Sequence, residues 1–189
     1  MTSLLLFPGA GSSSSHPSLV ALEHAVAPTR CVRADFPYRL AGRRAPDRPP
    51  VLLQTVRDAA APLRRGGLIL GGRSMGGRIC SLAVGDAESP LPAKGLVLIC
   101  YPLHPPGKPD TLRVEHFSRL NVPCLFISGT RDAFATPEEL THWTATIPGP
   151  VTHEWLEGKT HELRGADQQI ADIASRWIRS LSPVRRRPA

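Results

Sequence analysis

Short apolar runs recur along the chain, each ending in glycine, proline or serine and most leading into a stretch with helical spacing. Leu4 to Phe7, Cys31 to Asp35, the run from Leu68, Gly95 to Cys100, Val122 to Ser128 and Val151 to Leu156 read as strands. Between them, Pro17 to Ala27, Val51 to Arg64, Arg78 to Val84, Pro137 to Ile147 and Asp167 to Leu181 read as helices. Pro17 and Pro137 open two of them, where a missing N–H costs nothing. Phe36 to Pro50 reads as a long basic loop, and Tyr101 to Pro109 as a stiff, proline-rich one.

Six strands alternating with helices predict an α/β fold: a three-layer α/β/α sandwich around a mostly parallel, doubly wound sheet. In such sheets ligands bind where loops leave the carboxyl ends of the strands. No segment is long enough to form a large lid, and no repeat or linker divides the 189 residues. A single domain over 1–182 is expected, with a basic tail over 183–189.

Composition adds boundaries. The net charge of +7 could attract nucleic acid, but the arginines are scattered and no aromatic-rich RNA motif accompanies them, so no specific nucleic-acid partner is expected. No apolar stretch reaches membrane-spanning length, and Leu4 to Phe7 is too short and lacks the basic flank of a signal peptide. Cys31, Cys80, Cys100 and Cys124 are far apart, without a C-x-x-C pair, and read as reduced core residues. A cytoplasmic location is expected, with no metal and no cofactor called for. The oligomeric state is not legible.

The chemistry gathers at Gly72-Arg73-Ser74-Met75-Gly76. A serine between glycines, after a buried strand and before a helix, has the form of a nucleophile elbow. The glycines are needed because two backbones cross closely at such a turn. Two phosphate-site readings fail on spacing. Gly9-Ala10-Gly11 comes after a strand, yet Ser14 stands where a dinucleotide fingerprint needs its third glycine. Gly158-Lys159-Thr160 imitates the end of a P-loop, yet His153 stands where its first glycine belongs.

A serine hydroxyl needs a base, and the base needs a third group to fix its tautomer. Where such an elbow is catalytic, the acid comes after the serine in the chain and the histidine comes last. Asp132 and His161 each lie just beyond a later strand, on the elbow's edge of the sheet. A turn-capping role is the alternative for Asp132. His153 falls in a strand, His24 and His142 in helices, and His116 near a helical turn; His16 and His104 occupy active-edge loops but precede the acid. Asp35 and Asp110 do not have the position expected of the acid. The oxyanion donors expected are the amide of Met75 and that of Ala10 or Gly11. Arg73, His16, His104 and Tyr38 are candidate substrate contacts. Arg73, Arg131, Arg39, Arg43 and Arg44 could form a rim that favours anionic substrates, or be solvated arginines of a basic protein.

Phe36-Pro37-Tyr38, Gly71 to Arg78, Tyr101 to Pro109, Gly129-Thr130-Arg131-Asp132 and Lys159-Thr160-His161 together resemble the α/β-hydrolase superfamily. The resemblance is to its small lidless group, similar to dienelactone hydrolases, which includes testis-expressed hydrolase-like proteins and the hydrolase-like domain of an NSL chromatin-complex subunit. It implies a minimal α/β-hydrolase fold without a cap and a Ser74, Asp132, His161 triad; the reaction expected of that triad is hydrolysis of a carboxylic ester with a small or accessible acyl group. Dienelactone hydrolases proper use cysteine where this chain has Ser74, and many relatives carry histidine where it has Pro8. The first strand matches the third of larger relatives, so a sheet trimmed at that end is expected. The group also contains proteins that assemble with partners, so an idle binding scaffold, or a thioesterase or peptidase with the same triad, is the alternative reading.

Overall fold

The structure, a computed structural model, describes residues 2–181, so the tail expected at 183–189 lies outside the described residues. Six strands, β1 (Ser3–Phe7), β2 (Arg30–Arg33), β3 (Leu68–Arg73), β4 (Gly95–Ile99), β5 (Cys124–Gly129) and β6 (Val151–Leu156), form one sheet in the order β2-β1-β3-β4-β5-β6. Every pairing is parallel, where the sequence predicted a mostly parallel sheet.

The central strands are apolar on both faces because helices cover both. Side chains alternate across a strand, so Leu4 and Leu6 of β1 join Ile69, Val97, Ile99 and Leu125 on one face. That face packs against α1 (Pro17–Ala25) and α6 (Asp167–Ser180) through Leu19, Leu22, Ile170, Ala174 and Ile178. Leu5, Leu70, Leu98 and Phe126 face the other side, under α3 (Pro49–Ala60), α4 (Met75–Val84) and α5 (Pro137–Thr144), which contribute Val56, Ile79, Ala83 and Leu140. The result is the three-layer sandwich, with no cap domain inserted among the described residues.

Several boundaries differ from the sequence reading. The helix expected from Arg78 starts at Met75, because Gly76 and Gly77 sit against backbone where no side chain fits and helical packing outweighs their poor propensity. Inside the loop expected from Phe36 to Pro50, α2 (Pro37–Leu40) forms a single turn begun by Pro37 and anchored by buried Phe36 and Tyr38. Helix α3 begins earlier than expected, at Pro49, and beyond Ala60 the chain tightens into a 3-10 turn, Ala61–Gly66.

Strand order places the functional edge. The chain leaves β1 toward β2 on one side, and β3 onward builds the sheet on the other, so the loops after β1 and β3 diverge at a switch point. Phe7 pairs with Gly72, Arg73 with Ile99, and Gly129 with Leu156, so the carboxyl ends of five strands lie along one edge.

Candidate active site

The turn after β3 is strained as the sequence pattern requires. Ser74 has φ 48 and ψ −119, a conformation few residues other than glycine adopt, and it caps α4. Its amide donates to the carbonyl of Ile99 at 2.8 Å, tying the turn to β4. A Cβ on Gly72 would lie 2.3 Å from the Phe7 carbonyl oxygen, and one on Gly76 would lie 2.4 Å from that oxygen and 2.5 Å from that of Pro8. The elbow therefore rests directly on the end of β1.

Two later loops converge on it. Asp132 lies just after β5, and its fully buried carboxylate accepts from the Phe134 amide at 2.8 Å. His161 lies after β6, with Nδ1 at 2.8 and 3.0 Å from the two oxygens of Asp132. An ionised carboxylate only accepts, so Nδ1 carries the ring proton and Nε2 is left as an acceptor. Nε2 lies 2.9 Å from Ser74 Oγ. The two loops are joined by Arg131 N–H donating to the Lys159 carbonyl at 2.9 Å. A Cβ on Gly129 would stand 2.1 Å from that carbonyl oxygen, so only glycine lets them approach.

Ser74 and His161 open onto a cavity of about 710 Å³. Ala10, Gly11, Met75, Arg73 and His16 line it; Tyr38 and His104 are not among its lining residues. Tyr38 is buried and its hydroxyl donates to the Ala10 carbonyl at 2.7 Å, so it supports the loop after β1 from behind. His104 is buried too, its ring nitrogens spent on the Pro105 carbonyl at 2.8 Å and Glu139 at 3.4 Å. His16 caps α1: its Nδ1 accepts from the Ser18 amide at 3.3 Å, while burial, with Arg73 nearby, lowers its pKa.

Arg73 is 4% exposed, and one guanidinium nitrogen donates to the carbonyls of His161 at 3.0 Å and Glu162 at 2.7 Å. It braces the histidine loop and does not stand on a rim. Arg39, Arg43, Arg44 and Arg131 are not among the lining residues; Arg78 and Arg113 are. Sequence reasoning missed those two, and also Phe134, whose ring stacks on His161 with centroids 4.0 Å apart. The only signal for Phe134 was its nearness to Asp132.

All four cysteines are free, and Cys80, Cys100 and Cys124 are buried. Burial pushes the thiols of Cys31, Cys100 and Cys124 up to about 12. No cluster of metal-ligating side chains occurs among the described residues.

The family model for the alpha/beta hydrolase domain matches residues 1–185. The chain belongs to that family. Among solved structures, this hydrolase is similar to the monoacylglycerol lipase of Paleococcus ferrophilus, with a TM-score of 0.76 and 15% identity over 95% of this chain and 94% of that one. An alpha-beta serine hydrolase homologue from Coxiella burnetii gives 0.71 at 17% identity, over 93% and 85%. Est1E from Butyrivibrio proteoclasticus gives 0.73 at 14%, over 95% and 88%. At these identities the likeness is one of fold. No helix among the described residues is long and apolar enough to cross a membrane.

Proposed function

We propose that this hydrolase cleaves small carboxylic esters by acyl transfer through Ser74 to water. The observation that carries the reading is the continuous link from Ser74 Oγ and His161, both on the wall of an open cavity, to the buried Asp132 carboxylate behind them. His161 Nε2 takes the hydroxyl proton as Oγ attacks the ester carbonyl, and Asp132 stabilises the imidazolium that forms. The developing oxyanion is held by the amides of Met75 and of Ala10 or Gly11. Met75 N–H belongs to the first turn of α4 and has no partner within the helix. His161 returns its proton to the leaving alcohol, and a water activated by the same nitrogen frees the acid. No cofactor takes part.

The lidless group similar to dienelactone hydrolases is the closer kinship we propose, with the serine nucleophile as its main departure. Esterases and a lipase among the structural neighbours support ester chemistry. Free thiols support a reducing, cytoplasmic compartment. The test is hydrolysis of a neutral short-chain series of 4-nitrophenyl esters by the parent protein and Ser74→Ala. Turnover by the parent and its loss in the variant are expected; equal turnover by both would overturn the assignment.

A further inference from the structure

The cavity holds two guanidinium groups that the reaction above does not use. Arg78 lies one helical turn beyond Ser74, its amide donating to the Ser74 carbonyl at 3.0 Å. Side chains on a helix lean toward its N-terminus, so Arg78 leans toward the nucleophile. Arg113 reaches the same cavity from the loop after β4. Its backbone is pinned by the buried Tyr101 hydroxyl, which donates to the Arg113 carbonyl at 2.7 Å. Tyr101 is in turn packed on Phe117 and Phe126, so the core fixes where Arg113 stands.

Neither arginine takes part in any ion pair found among the described residues. Arg78 Nε is buried without a hydrogen-bond partner. Burial, then the charge of Arg78, disfavour the protonated form of Arg113, and Tyr101 and the Glu115 carboxylate offset them in part. Guanidinium stays charged in such surroundings. The carboxylates of the same cavity do not compensate them: Asp47 is engaged by Arg43 at 2.7 Å and by the Tyr38 amide at 3.0 Å, and Glu162 is felt by His16 on the side of α1. Two like charges that line one cavity and are partly desolvated favour an anion between or across them.

We propose that Arg78 and Arg113 form an anion-recognition subsite of the cavity and that the ester cleaved at Ser74 carries a free carboxylate. This rests on the ester-hydrolase reading and adds the substrate's charge to it. A carboxylate a few carbons from the scissile carbonyl offers both arginines the planar pairing that guanidinium favours. A neutral chain leaves Arg78 Nε without a partner. Arg73 is kept apart from the subsite because its Nη2 braces the His161 loop, although its Nη1 is buried without a hydrogen-bond partner.

The test compares the mono-4-nitrophenyl ester of glutaric acid with 4-nitrophenyl valerate, which has the same chain length and no charge. The parent should favour the glutarate ester by about tenfold or more in kcat/KM, and Arg113→Gln and Arg78→Gln should each remove most of that ratio. A parent ratio at or below one, or the same ratio in all three proteins, overturns the subsite. Arg113→Lys, on a loop and with charge retained, serves if the α4 variant does not fold. Calorimetric titration of Ser74→Ala with glutarate separates the two claims. Binding that disappears with Arg113→Gln, in a protein that hydrolyses neither ester, leaves the subsite and removes the ester reading. Turnover of valerate with no preference does the reverse.

Discussion

Arg73 and His161 are bound to each other across 88 residues of sequence: a guanidinium N–H at the end of β3 donates to the backbone carbonyl of the histidine at 3.0 Å. The side chain next to the elbow serine thus sets the loop that brings the imidazole to that serine. A second bond from the same nitrogen, to Glu162 at 2.7 Å, closes the brace.

Arg73→Met should therefore act on the position of His161. With the brace removed, kcat is expected to fall about tenfold to a hundredfold with a smaller change in KM, since misplacing a base affects chemistry more than binding. Two carbonyls lose their donor, so stability should fall by about 1–3 kcal/mol in urea denaturation. An unchanged kcat in a destabilised protein would leave Arg73 a purely structural role.

Tyr38 makes a parallel prediction for the loop after β1. Its hydroxyl fixes the Ala10 carbonyl at 2.7 Å, and hence the tilt of the peptide whose N–H belongs to Gly11. Tyr38→Phe is expected to lower kcat by about threefold to tenfold, well below the loss from removing an oxyanion donor outright. Steady-state kinetics on one neutral ester, with a melting curve to show retained folding, measures it.

Gly76→Ala should be costly, because the added methyl would overlap two backbone oxygens at 2.4 and 2.5 Å that have no flexible side chain to yield. A loss of about 1–3 kcal/mol or more is expected, read from the denaturation midpoint. Pro8, one of the two residues struck, begins the oxyanion loop, so residual activity should fall further than stability alone explains.

His116 predicts a pH dependence of stability. It is fully buried with Nε2 2.8 Å from Ser81 Oγ, and burial, aided by Arg78 and Arg119, lowers its pKa to about 3. The unfolded chain binds a proton near the ordinary pKa of 6.5, and the folded one does not. Stability from the neutral ring is present above 6.5 and is lost as pH falls from there toward 3. His116→Gln, whose side-chain amide can still donate to Ser81 Oγ, should flatten the stability curve across that window by up to about 1.4 kcal/mol per pH unit. Denaturation midpoints of both proteins at several pH values provide the comparison.

The strands were legible because burial on both faces leaves unbroken apolar runs such as Leu4 to Phe7 and Gly95 to Ile99. The elbow was legible because Gly72 and Gly76 have no substitute where backbones nearly touch. Chain order pointed to Asp132 and His161, and the structure brings both within hydrogen-bond distance of their neighbours in the link to Ser74. The direction of a long side chain was not legible. Arg73 sits next to the serine and reads as a substrate contact, yet a buried strand end turns it under the histidine loop. His104 lies in an active-edge loop, but its ring is turned to Glu139. Arg78 on α4 and Arg113 on the loop after β4 line one cavity, and no local pattern encodes that meeting.

The central claim is that Ser74 is the activated nucleophile. Incubating the full chain with a fluorophosphonate probe and mapping the modified peptide by mass spectrometry tests it without knowledge of the substrate. A single adduct on Ser74, abolished in Ser74→Ala and sharply slowed in His161→Ala, is the predicted result; a folded protein that stays unlabelled, or labels equally well without Ser74, would contradict it.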